Sequence, residues 1–128
     1  MNVKKAAQAT FKIRLYRKSV AFTWLSTCDL KAKVNVEELT RIARKLGLNA
    51  NGTSITVDSL DLYNRLLVYA AVRPFLKNAA ELTWLVQNMN SWEASYWASA
   101  LRETWWAGEG QRGVSRVARA FITLFELR

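Results

Sequence analysis

Histidine is absent from the 128 residues, cysteine occurs once, at Cys28, and proline once, at Pro74. Without imidazole there are no histidine metal ligands, no histidine acid/base pair and no Ser-His-Asp arrangement. A lone thiol closes no intrachain disulfide, which excludes a small disulfide-stapled secreted module. Long apolar runs are missing too. The longest, Leu66 to Val72, is bracketed by Arg65 and Arg73, far short of the ~20 residues that span a bilayer. The start of the chain leads into Lys4, Lys5, Lys12 and Arg14 and not into the apolar core of a signal peptide. The expectation is an untargeted, cytoplasmic chain with no membrane span. The acidic residues form no catalytic constellation: Glu37, Glu38, Asp58 and Asp61 fall at expected helix starts, where capping and the helix dipole account for them. No metal, cofactor or enzymatic activity is implied.

What is plentiful is positive charge. Lys and Arg number 19 against 10 Asp and Glu, a formal net charge of +9, in a chain that is 51% apolar. That composition builds one folded domain with a basic surface. The excess is one-sided. Residues 1–36 hold Lys4, Lys5, Lys12, Arg14, Arg17, Lys18, Lys31 and Lys33 against the single acid Asp29, whereas the remainder is nearly balanced. Solubility does not require such asymmetry, and a polyanionic partner does. Nucleic acid is the expected partner.

With one proline and five glycines, the pattern favours helices. The expectation is an all-α chain: a bundle of five or six helices, with residues 1–34 a basic N-terminal helical arm and 35–128 the body. Residues 4–26 lack proline and glycine and read as one long helix. At 100° per residue, Phe11, Leu15, Phe22 and Leu25 fall on one side and Ile13, Tyr16, Val20 and Trp24 opposite, with Lys5, Lys12, Arg14 and Arg17 on the flanks. Two opposed apolar stripes imply a helix held between two surfaces, one of them from another subunit. The competing reading is a strand, because Phe11-Lys12-Ile13-Arg14-Leu15 alternates with period two. Further on, Asn35 with Glu38 resembles a capping box, and Gly47 ends that helix. Ser54 to Val57 reads as a short strand or extended loop. Asp58 starts a mostly apolar helix that Pro74 breaks. Helices follow over 76–89, over 92–107 with Ser91 as cap, and over 114–127.

Three motifs bear on chemistry. Gly108-Glu109-Gly110-Gln111-Arg112-Gly113 matches G-x-G-x-x-G but follows a helical pattern, not a strand, so it reads as an inter-helix loop, not a dinucleotide site. Ala43 to Asn49 resembles the first helix and turn of a helix-turn-helix, yet no recognition helix follows at once. Arg112, Arg116 and Arg119 share one face of the last helix with no acid interleaved, an arrangement suited to phosphate oxygens. The aromatic cluster Trp92, Tyr96, Trp97, Trp105 and Trp106 reads as core and subunit interface, together with Phe11, Leu15, Phe22 and Trp24.

The basic arm from Lys4 to Lys18, the helix-rich body, the frequent Trp and the absent His resemble the small helical major capsid proteins of filamentous archaeal viruses, of the tristromavirus and lipothrixvirus type. That resemblance is one of size and composition over the whole chain. It implies paired subunits wrapping linear double-stranded DNA inside a virion, with Lys4, Lys5, Lys12, Arg14, Arg17 and Lys18 lining the DNA channel. The sequence therefore leads to a structural, non-enzymatic, sequence-indifferent packaging protein for nucleic acid, double-stranded DNA favoured. It would assemble with itself or with a paralogous subunit. Lys31, Lys33, Arg112, Arg116 and Arg119 would add phosphate contacts. A small helical subunit of a CRISPR effector complex, or a helix-turn-helix regulator, are the alternatives.

Overall fold

A computed structural model describes residues 11–24 and 27–128. Three strands open the described chain: β1 (Phe11–Leu15), β2 (Ser19–Trp24) and β3 (Thr27–Lys33). Helix α1 (Val36–Lys45) leads to the short hairpin β4 (Asn49–Ala50) and β5 (Ser54–Thr56). Four helices complete the chain: α2 (Leu60–Val72), α3 (Ala80–Asn88), α4 (Ser91–Trp106) and α5 (Gly110–Leu124). The strands form one antiparallel sheet in the order β3-β2-β1-β5-β4. The protein is thus mixed α/β, and the all-α expectation is wrong.

The physical reason lies in the first strands. As a helix, Phe11 to Trp24 would need two opposed apolar stripes. As a hairpin, Phe11, Ile13, Leu15, Val20, Phe22 and Trp24 all lie on one face, because side chains alternate with period two. The pairs Ile13–Phe22 and Leu15–Val20 stand directly opposite one another, and Ile13, Val20 and Phe22 are fully buried. Two half-exposed helical stripes become a single buried sheet face, which removes far more apolar surface from water. Lys4 and Lys5, and Leu25 of the expected helix, lie outside the described residues.

The helices gather around α2: α2 and α4 pack on β3, α1 contacts β4 and α2, and α3 and α5 pack onto α2. Every residue from Tyr63 to Val72 is buried, the signature of an element surrounded on all sides. Tyr63 meets Phe11 and Phe22 from the sheet, with ring centroids 5.5 and 5.6 Å apart. One apolar cluster runs from Ile13 to Leu127 and joins the strands to every helix.

Local signals set most boundaries. Asn35 accepts from the Glu38 amide at 3.0 Å, and Gly47, at φ +83°, closes the end of α1. The start of α2 is capped by Ser59, not Asp58, and Asn90, not Ser91, caps α4 in a reciprocal capping box with Glu93. Pro74 sits in the short 3-10 turn Arg73–Phe75 that ends α2. The expected helix over 76–89 is shorter, because Leu76 is extended and α3 starts at Ala80. The expected loop 108–113 is mostly helix, since α5 begins at Gly110. Gly113 is there for space: a Cβ on it would sit 2.6 Å from Cβ of Thr104 on α4. After α1 comes the β4–β5 hairpin, so no second helix follows the Gly47 turn as a helix-turn-helix requires.

Candidate nucleic-acid interface

The same alternation that buries one face of β1–β3 turns the other outward. Lys12 and Arg14 on β1, and Lys31 and Lys33 on β3, are exposed on this outer face, where no helix covers them. The register fixes their arrangement. Arg14 stands opposite Ala21, and Ala21 opposite Lys31, so one row across the sheet reads Arg14, Ala21, Lys31. Lys12 pairs with Thr23, and Lys33 with Ser19. β1 and β3 are each antiparallel to β2 and therefore run in the same direction. Their basic side chains are therefore rooted in two parallel rails about 10 Å apart at the backbone, two strand spacings. Successive basic positions along a rail are about 6.7 Å apart at the backbone. Between the rails lies a floor of small side chains, Ser19, Ala21 and Thr23.

The hairpin tip extends the charge. Tyr16 N–H donates to the Ser19 carbonyl at 2.9 Å, closing a turn whose two central residues, Arg17 and Lys18, are both exposed. Tyr16 follows the alternation outward and is 49% exposed, with the Lys31 ammonium 5.9 Å from its ring centroid. That contact orients Lys31 along the outer face.

Negative charge is kept off this surface. The only acid in the described strands is Asp29, and a bulge takes it away. Phe22 pairs with Leu30 but Thr23 with Cys28, so Asp29 is the extra residue. It is fully buried on the helix side, where its Oδ2 accepts a 2.7 Å bond from the Tyr63 hydroxyl. Burial raises its pKa; the Tyr63 bond and the nearby Arg102 charge oppose that rise. Arg102 is itself buried, donating to Asn64 Oδ1 at 2.9 Å beneath the Trp24 ring.

The sequence-expected residues separate into groups. Lys12, Arg14, Arg17, Lys18, Lys31 and Lys33 come together on one face and its tip. Arg112, Arg116 and Arg119 are exposed on α5, in the helical layer on the other side of the sheet. Two of them are already engaged: Arg116 pairs with Glu109 at 2.7 Å, and Arg119 lies 5.8 Å over the Phe75 ring. Of the expected interface residues, Leu15 and Phe22 belong to this chain's own core, with Phe11 and Trp24 stacked at its edge. Trp97 packs edge-on against Phe121 at 5.2 Å, and Trp105 is half-buried. Trp92 and Trp106 stay exposed at 73% and 53%. The sequence reading missed Tyr16, Ser19 and Thr23 as outer-face residues. Period two places Tyr16 with Lys12 and Arg14 once the strand reading is taken; Ser19 and Thr23 join that face only through the hairpin register.

Among the described residues no cluster of three or more Cys, Asp or Glu side chains is placed to hold a metal ion, and no helix is long and apolar enough to cross a membrane. Comparison with protein-family models, curated proteins and solved structures finds no match to this chain.

Proposed function

We propose that this protein binds nucleic acid through its phosphate backbone, without reading base sequence, on the outer face of the β1–β3 sheet. The observation that carries the proposal is the uncovered basic face itself: Lys12, Arg14, Lys31 and Lys33 in two rails, with Arg17 and Lys18 at the tip and no acid among them. Long cationic side chains over a smooth floor suit a continuous polyanion and offer no ordered set of donors and acceptors for base edges. The packaging role expected from the sequence enters in its chemical part, backbone contact with double-stranded DNA by many copies. The helical wrapping does not enter, because the cations stand on strands.

Assembly in several copies is supported by a second feature, an exposed aromatic pair on α4. Trp92 and Tyr96 are 73% and 57% exposed and stack on each other at 5.9 Å. Adjacent large aromatic side chains left this open suit an association surface.

Duplexes of unrelated sequence, titrated at several salt concentrations, test the proposal. Affinity should be nearly the same for all of them. It should fall with salt at about −0.9 log units per log unit for each neutralised phosphate. A flat salt response, or strong preference for one short site, contradicts it.

A further inference from the structure

The basic face ends at β3, and beside that strand the surface opens into a cavity of about 660 Å3. Its rim carries Ser19, Lys31, Lys33 and Gln111; its floor is made by Ala32, Ala70, Ala71 and Val114. We propose that this cavity accepts one unpaired base of a nucleic acid whose phosphates lie on the sheet face, so that single-stranded segments are held more tightly than intact duplex. The inference rests on the backbone-binding proposal and deepens it by naming the form of nucleic acid preferred.

Four features point to this occupant. The volume is that of a small-molecule site and exceeds what one base needs. The floor is apolar and built from short side chains, which leaves room for a planar ring. Gln111 and Ser19 each offer a donor and an acceptor, the combination that a base edge presents in return. Gln111 spends only one weak bond, 3.4 Å to Ser115, within its own helix. Lastly, Lys31 and Lys33 belong both to the cavity rim and to the β3 rail. A nucleotide that puts its base into the cavity therefore leaves its flanking phosphates against the same two ammonium groups. In a duplex, the base must first leave its pair and its stack, which costs free energy that a single strand does not spend.

The test uses the full chain and three probes of equal length: a twelve-residue oligothymidylate, the same oligomer without bases, and a twelve-base-pair duplex. The thymidylate should bind roughly tenfold more tightly than the abasic oligomer, the size of one good base contact, and more tightly than the duplex, whereas a duplex bound as tightly as the thymidylate overturns the single-strand preference. Ala71→Leu, which fills the floor, should abolish that difference and leave abasic binding unchanged. Because Ala71 is buried and its variant can fail to fold, Gln111→Ala at the exposed rim provides a second test and should narrow the difference several-fold. Equal affinity of the unsubstituted protein for thymidylate and abasic strands overturns the cavity proposal while leaving backbone binding intact. A difference that survives both substitutions overturns it as well, because the base then binds elsewhere. Failure to bind any of the three probes overturns the backbone proposal and this one together.

Discussion

The hydroxyl of Tyr63 donates a 2.7 Å hydrogen bond to Oδ2 of Asp29, tying the central helix α2 to the bulge in β3. The bond joins the interior to the function proposed for the surface. An acid in β3 that alternated outward would stand among Lys12, Arg14 and Lys31; the bulge and Tyr63 hold it on the other side of the sheet. The other carboxylate oxygen, Oδ1, is buried without a partner among the described residues. Replacing Tyr63 with Phe would leave the carboxylate without a hydrogen-bond donor among the described residues, at an expected cost of about 2–3 kcal/mol. Chemical denaturation at neutral pH measures it. A loss below a few tenths of a kcal/mol would show that the bond holds nothing in place.

The pKa of Asp29 also makes stability depend on pH. Burial raises it above the ordinary value of 3.8. As pH rises from that value toward the raised one, the unfolded chain has released the proton while the folded chain still holds it. The unfolded state then binds fewer protons, so stability falls with rising pH, by up to about 1.4 kcal/mol per pH unit. Asp29→Asn should flatten the stability profile across this window and keep the Tyr63 bond through its side-chain carbonyl. Tyr63→Phe removes an interaction that lowers the pKa, so it should move the window to higher pH. Denaturation midpoints from pH 4 upward, compared among the three proteins, check both signs.

Gly113 offers a test of the α4–α5 packing. In an ordinary exposed helix interior, Gly→Ala gains up to about 1 kcal/mol. Here the added methyl would meet Thr104 Cβ at 2.6 Å and the Glu109 side chain at 2.7 and 2.8 Å. Thr104 is buried and its hydroxyl donates to the Leu101 carbonyl at 2.8 Å, so it cannot swing aside freely. Gly113→Ala should therefore destabilise by about 1–3 kcal/mol. A stabilised variant would mean that the two helices separate easily.

How far the fold can be read from residues alone is seen in particular places. Asn35, Gly47 and Pro74 mark boundaries through local chemistry, and the structure keeps all three. The β1–β2 hairpin is harder. Its alternation is visible in Phe11 to Leu15, but its turn, Arg17-Lys18, contains none of the Gly, Asn or Asp residues that usually mark tight hairpins. Without that punctuation, an unbroken run free of proline and glycine favours a helix. The basic residues of the interface were legible as a group; their common face was not, because it depends on strand register. Gly113 was masked by its neighbours, since three glycines in six residues read as a linker. The bulge at Asp29 has no sequence signature. Nor has the cavity, whose walls come from β2, β3, α2, the Pro74 turn and α5.

The central claim is that nucleic acid lies on the sheet face, and the most direct measurement compares two charge-removed variants on duplex DNA across a salt series. One replaces Lys12, Arg14, Lys31 and Lys33 with Gln; the other replaces Arg112, Arg116 and Arg119. All seven side chains are exposed, so both variants should keep their helical and strand content by circular dichroism. The sheet variant should bind every duplex more weakly and lose up to about 0.9 units of salt slope for each contact removed. The α5 variant should stay close to the parent, because Arg116 is already paired with Glu109 and Arg119 lies over Phe75. A sheet variant that keeps the parent's affinity and slope, beside an α5 variant that loses both, would contradict the account.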